Sequence, residues 1–312
     1  MMGPLQSALD EYLAVRRSMG YKLLLSGAML QRFVDFAGYR CVNYITTELA
    51  LEWATQPTRA TPAQWANRLG MVRRFARHCH AYDPRHAVPP HGLLPHRYRR
   101  VSPYLYSDEQ IHKLIKAARE LPSIVGLRPH SYATLVSLYA AAGLRAGEAL
   151  RLHRDDLDLN NGVLTIKHSK FGKSRYVPVH VSTRLALRRY ASIRDRLIVA
   201  PDSPCFFLSD RGRNVAYPTL KSTFAKLSKQ VGLISRSNTR GPRIHDFRHR
   251  LAIHTLLRWY RQGVDVEAHL PKLSTYLGHT DVANTQWYLT ATPQLLRYAL
   301  NRVEQSGRRV HS

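Results

Sequence analysis

The chain has 312 residues with 47 Lys plus Arg against 21 Asp plus Glu, so its formal net charge is +26 before any of its 16 histidines is protonated. A surface this cationic favours a polyanionic partner, nucleic acid or an anionic membrane, and disfavours a free cationic small molecule as substrate. Hydrophobic residues make up 44% of the chain, too many for a disordered basic tail, and the length suits two domains that each bury a core.

Met1 to Arg17 carries charges of both signs and lacks an apolar run ending in a small-residue cleavage site, so it does not read as a leader. Through the first ninety or so residues, apolar side chains recur at three- and four-residue steps, the period of packed helices. Leu5, Leu9, Tyr12 and Leu13 form the first stripe, stopped near Gly20. A second helix is expected from Ser26 as N-cap through Leu30, Phe33, Val34 and Ala37 to Gly38. A third follows Thr46 and Thr47 with Leu49, Ala50 and Trp53, and a fourth follows Pro62 with Trp65, Leu69, Val72 and Phe75. Arg68, Arg73, Arg74 and Arg77 lie off that last apolar face, as a solvated surface or as contacts to phosphate.

Between Asp83 and Pro103 the prolines at 84, 89, 90, 95 and 103 remove backbone donors and forbid regular helix. The expected division is a helical domain over 1–96, a linker over 97–103 and a second domain over 104–312, with Arg99 and Arg100 in the cationic connector. The second domain opens on Ser107, answered by Gln110 in a capping box, and continues through a buried helix over Tyr132 to Ala142. Val163-Leu-Thr-Ile166 and Arg175-Tyr-Val-Pro-Val179 change to strand character, entered by Asn160-Asn161-Gly162 and joined by Lys170-Phe-Gly-Lys173. The remainder is again mostly helical, ending in an amphipathic segment from Pro293 to Val303 that packs on its own domain or on a neighbouring protomer.

Several candidate features fall away on inspection. Asp156, Asp158 and Asn160 alternate as in a calcium loop, but Gly162 comes one position late and Lys167 stands where a bidentate Glu is required. Cys79 with His78, His80 and His86 lacks a second cysteine at zinc-ligand spacing. Cys41, Cys79 and Cys205 are odd in number and far apart, as in a reducing, cytoplasmic compartment. The longest nearly apolar stretch, Tyr132 to Leu144, is shorter than the roughly 20 residues that span a bilayer, so no membrane partner is expected.

What remains is a scattered basic set. Arg145 lies in Gly143-Leu-Arg-Ala-Gly-Glu148, where Glu148 is near enough to orient its guanidinium. Lys170 and Lys173 sit at a hairpin tip in Ser169-Lys-Phe-Gly-Lys-Ser-Arg-Tyr-Val-Pro178; His245 and Arg248 open a helix in His245-Asp-Phe-Arg-His249; His279 ends Leu277-Gly-His279; and Tyr288 ends Thr285-Gln-Trp-Tyr288. Each piece alone suits a structural role, but the five segments in this order resemble the tyrosine recombinases, or phage-integrase family, along essentially the whole chain.

The resemblance implies a mainly α fold: a helical core-binding domain, then a mainly helical catalytic domain with a small antiparallel β-sheet. It matches Arg145 and Arg248 to the family's two arginines, His245 and His279 to its histidines, Tyr288 to its nucleophile and Lys170 to its hairpin lysine. That lysine is chosen by counting eight residues back from Pro178, with Lys167 and Lys173 nearby. Phe247 stands where a Leu is common, and Trp287 precedes the tyrosine.

The residue types suit phosphodiester chemistry. Guanidinium groups stay charged and can donate paired hydrogen bonds to phosphate. A phenol with an ordinary pKa of about 10 needs neighbouring cations and a proton acceptor, for which His245 is the candidate. The resemblance assigns protonation of the leaving 5′ oxygen to Lys170. The implied product is a 3′-phosphotyrosyl enzyme that needs neither ATP nor metal for resealing. The expected partners are double-stranded recombination sites and further copies of the chain, as a tetramer on two duplexes, with room for other recombinases or accessory proteins. Lys173, Arg175, Arg73, Arg74, Arg77, Arg99 and Arg100 are candidate DNA contacts. A type IB topoisomerase-like strand transferase and a non-catalytic DNA-binding accessory protein are the alternatives.

Overall fold

The computed structural model describes residues 3–95, 103–167, 174–233, 241–290, 292–298 and 300. The chain divides into two compact units, Met1–Arg100 and Val101–Ser312.

The first unit contains four helices, α1 (Pro4–Ser18), α2 (Leu24–Tyr39), α3 (Thr47–Thr55) and α4 (Pro62–Tyr82). Each turns its expected apolar stripe inward except at Trp65 of α4, which is half-buried and outside the cluster, and Leu9, Phe33, Ala50, Trp53, Val72 and Phe75 form the centre of one core. The N-terminus of α4 is set by a reciprocal capping box between Thr61 and Gln64, with Pro62 at the first helical position. Helix α2 corrects the sequence expectation. It starts at Leu24, behind Leu23 in the left-handed region at φ +44° and without a side-chain cap, so Ser26 lies inside the first turn. Leu23 packs, half-buried, against the core, and that contact turns the chain earlier than a serine cap would.

The second unit opens with α5 (Asp108–Arg119), α6 (Leu127–Ala142) and the short α7 (Ala146–Leu150). A three-stranded antiparallel sheet follows in the order β1 (Leu157–Asp158), β2 (Val163–Ile166), β3 (Arg175–Pro178). Leu164 pairs with Val177 and Ile166 with Arg175; Leu164, Ile166 and Val177 are buried while Tyr176 is exposed, the alternation of a sheet with one covered face. At the β1–β2 turn, Asp158 Oδ1 accepts from the backbone N–H of Asn160 and of Asn161, each at 3.0 Å, so the supposed calcium loop is an Asx turn. The hairpin tip carrying Lys170 and Lys173 lies outside the described residues, as do most of the linker and Arg99 and Arg100.

Helices α8 (Val181–Leu197), α9 (Tyr217–Gln230), α10 (Ile244–Arg261), α11 (Val266–Leu277) and α12 (Ala283–Gln286) complete the unit, followed by a 3-10 turn over Trp287–Thr290. Residues 293–298 are helical; Leu295 is fully buried in the cluster formed with α10 and α11, and Tyr298 stacks on Tyr260 with ring centroids 5.9 Å apart. In this structure the described part of the tail therefore packs on its own unit. Phe247 stacks on Tyr106 at 4.2 Å and meets Phe224 edge-on, which places this departure from the family pattern in the core. No described helix is long and apolar enough to cross a membrane.

Candidate functional site

Two glycines at helix ends organise the site. Gly143 closes α6 at φ +58° and Gly278 closes α11 at φ +64°, the left-handed conformation that glycine adopts at least cost. Helix ends leave carbonyls without intrahelical partners, and here arginines take them. Arg248 Nη1 donates to Gly143 O at 2.9 Å, and its Nη2 donates to Leu277 O. Arg145 Nη2 donates to Gly278 O at 2.8 Å. The two guanidiniums thereby tie α6, α10 and α11 together. A Cβ at residue 278 would stand 2.6 Å from Arg175 Nη1, so the close approach requires glycine as well.

Glu148 balances this positive charge. With its side chain 2% exposed, it accepts from Arg145 N at 2.9 Å and Arg145 Nη1 at 2.6 Å, and from Arg175 Nη1 and Nη2 at 3.0 and 2.9 Å. Burial alone would raise its carboxyl; the hydrogen bonds and charge of Arg175, then of Arg145, outweigh burial and hold it at about 2. Arg175 also donates to Tyr276 O at 2.9 Å. Expected among the DNA contacts, Arg175 is instead a buried brace between β3, Glu148 and the end of α11, because pairing a carboxylate compensates its desolvation.

Arg248 is 1% exposed; burial, then the charge of Arg145, lowers its pKa to about 10, which leaves it cationic at neutral pH. The helix that carries it starts under a cap in which Asp246 accepts from Arg243 N at 2.9 Å and Arg243 Nη2 at 2.7 Å.

The rings gather on the other side of the arginines. Tyr288, 1% exposed, projects from the 3-10 turn, and its Oη lies 2.8 Å from His249 Nδ1. His279 Nδ1 lies 2.7 Å from Thr285 Oγ1, and its ring runs nearly parallel to that of Tyr288. His245 meets His249 edge-on with centroids 4.7 Å apart. Burial, then the charges of Arg243 and Arg248, lowers His249 to about 4; burial, Arg248 and Arg145 do the same to His279. Crowding by protein atoms, then His249 and Arg248, also lowers His245, although its side chain remains exposed to solvent.

Arg145, His245, Arg248, His249, His279 and Tyr288 all line one open pocket of about 240 Å³. Segments from residue 145 to residue 288 thus meet around a space that suits an anionic group and a phenolic nucleophile. Among the described residues, no group of three or more His, Cys, Asp or Glu could hold a metal ion. Lys167, the neighbour of the candidate lysine, is paired with Asp156 at 2.6 Å.

Sequence reasoning gave His249 no role, although its spacing of four residues from His245 places both on one helix face. It also missed Thr285, fully buried beneath His279. In the first unit, Arg74 and Arg77 are exposed, whereas Arg73 donates to Pro89 O at 2.6 Å and Pro90 O at 2.8 Å. Arg68 lies over the Trp53 ring at 3.8 Å.

Comparison with known proteins agrees with this geometry. The family model described as "Phage integrase family" matches residues 105–294. Over 308 residues the chain is 46% identical to "Putative integrase/recombinase y4rB" of Sinorhizobium fredii (strain NBRC 101917 / NGR234), covering 97% of this chain and 98% of that protein. Its fold is similar to that of the Tn1549 transposon integrase solved with transposon right end DNA, with TM-score 0.66 and 16% identity over 97% of this chain and 100% of that one. A lambda integrase tetramer bound to a Holliday junction gives TM-score 0.64 and 16% identity over 91% and 76% of the two chains. A mainly helical fold with a small antiparallel sheet, a family match across more than half the chain and a full-length integrase/recombinase relative lead to one conclusion: the chain belongs to the phage integrase family, the tyrosine recombinases.

Proposed function

We propose that the chain is a site-specific DNA recombinase of the integrase or transposase type that cuts and rejoins duplex DNA through a 3′-phosphotyrosyl intermediate. The observation that carries this reading is the convergence of Arg145, Arg248, His245, His279 and Tyr288 on one pocket. Arg145 and Arg248 hold the scissile phosphate and stabilise the charge that builds on its nonbridging oxygens; preorganised donors of this kind are each worth about two to three orders of magnitude in rate. His279, steadied by Thr285, and His245 supply further hydrogen bonds to the phosphate. Tyr288 Oη attacks phosphorus, the P–O5′ bond breaks, and a general acid, for which Lys170 is the candidate, protonates the departing oxygen. The phosphotyrosyl bond retains the energy of the bond it replaces, so resealing needs no ATP, and the arginines supply the positive charge that a metal would otherwise bring.

Double-stranded DNA is the proposed substrate, and the net charge of +26 supports it. The first helical unit serves as a second DNA-binding domain, with Arg74 and Arg77 on its exposed surface. The lambda integrase tetramer supports assembly as a tetramer on paired duplexes. The test is a nicked suicide substrate bearing a site selected by the protein from a random duplex library. The wild type is expected to form a covalent adduct on denaturing gels, and Tyr288→Phe to form none while binding DNA nearly as tightly, since it deletes one oxygen and no charge. An adduct retained by Tyr288→Phe overturns the assignment of the nucleophile.

A further inference from the structure

The proton of Tyr288 has a neighbour that differs from the one the motif suggests. His245 is the expected acceptor, yet the imidazole nitrogen 2.8 Å from Tyr288 Oη is Nδ1 of His249. With the His249 ring proton on Nε2, Nδ1 is an acceptor and the phenol donates its O–H to it across this contact. The residue is not incidental to the packing. It is held between the edge of Trp287 and His245, with centroids 5.4 and 4.7 Å away, and lies one residue beyond Arg248, which anchors that part of α10 to α6 and α11.

We propose that His249, acting through Nδ1, is the catalytic proton acceptor for Tyr288, and that the negative charge of bound phosphate is what enables it to take the proton. The inference rests on the reading of Tyr288 as nucleophile. In the step, the Tyr288 Oη–P bond forms, the P–O5′ bond breaks, the phenolic proton moves to His249 Nδ1, and the leaving oxygen takes a separate proton from the general acid.

The groups facing His249 decide when this step can run. Arg243, Arg248 and His245 face it from α10, His279 from the segment after α11, and Trp287 and Tyr288 from the 3-10 turn. Burial, then the charges of Arg243 and Arg248, disfavours imidazolium, so without DNA the ring does not take up the phenolic proton. A phosphate between Arg145 and Arg248 brings the opposite charge close to the ring and favours its protonated form. The site thereby activates its nucleophile when the bond to be cut is present. His245, edge-on to His249 and more exposed, is left to bind phosphate.

Two substitutions separate proton transfer from positioning. In His249→Asn, the amide oxygen can accept the phenolic hydrogen bond near the former Nδ1 position but cannot take up the proton. His249→Ala removes both functions and leaves a space that free imidazole can enter. Single-turnover cleavage of the suicide substrate is expected to fall about 100-fold in both variants, with DNA affinity unchanged. Imidazole should restore His249→Ala and not His249→Asn. A 5′-bridging phosphorothiolate, whose sulfur leaves without an acid, should restore neither. Near-wild-type cleavage by His249→Asn overturns the proposal, as does rescue by the phosphorothiolate, which would place His249 at the leaving group. Should His249→Ala lose DNA affinity, His249→Asn decides by the same criteria. Failure of the wild type to form any adduct, by contrast, refutes the underlying recombinase reading.

Discussion

Replacing Glu148 with Gln preserves the side chain's shape and removes the charge that joins Arg145 to Arg175. The carboxyl is held at about 2 against an ordinary 4.5, a gap worth roughly 3 kcal/mol of folding stability at neutral pH. For a unit of about 200 residues, each kcal/mol moves the melting temperature by roughly 2–4 °C, so Glu148→Gln should melt about 6–12 °C lower at pH 7. A carboxyl depressed in the folded state contributes fully above its unfolded value and loses that contribution as pH falls through the folded one. The gap between variant and wild type should therefore be constant down to about pH 5, fall to roughly half at pH 3 and vanish below pH 2. The lowered histidines, which destabilise the fold as pH drops from 6.5 towards 4, are present in both proteins and cancel in the difference. Calorimetry across this range measures it. A gap under about 2 °C at pH 7, or one undiminished at pH 3, would refute the claim that a buried carboxylate pins the two guanidiniums.

Gly278→Ala should destabilise the second unit by about 1–3 kcal/mol and reduce adduct yield, because it forces a Cβ into the left-handed region against the pinned Arg175 guanidinium; a neutral melting temperature would count against that packing. Arg74→Ala and Arg77→Ala should each reduce the log-log salt slope of DNA binding by about 0.9 if each neutralises one phosphate. Arg73→Ala should act on stability instead, since its guanidinium is engaged with the Pro89 and Pro90 carbonyls; fluorescence titrations and thermal melts distinguish these outcomes. Cleavage should persist in excess EDTA, with Arg145 and Arg248 stabilising the phosphate, and an adduct lost with EDTA and restored by magnesium would overturn that mechanism.

The sequence by itself determined what depends on near neighbours. The apolar stripes of α1, α3 and α4, the Ser107 cap and the β2–β3 strands follow from side chains a few residues apart, whose physics is local. The order of five short motifs likewise placed Arg145, His245, Arg248, His279 and Tyr288 on the chain before any fold was known. The tertiary structure decided which of these residues meet and which nearby groups serve them. Arg145 reaches Gly278 across 133 residues, Arg175 reaches Glu148 across 27, and His249 reaches Tyr288 across 39. Such pairings arise from the packing of α6, α10 and α11 and from the need to satisfy buried charge and open helix ends. Hence Arg175, which reads as one more surface cation, becomes a buried brace, and His249, which has no special standing in the motif, becomes a base within hydrogen-bond distance of the phenol. The start of α2 follows the same rule, because packing half-buried Leu23 against the core prevails over the capping preference of Ser26.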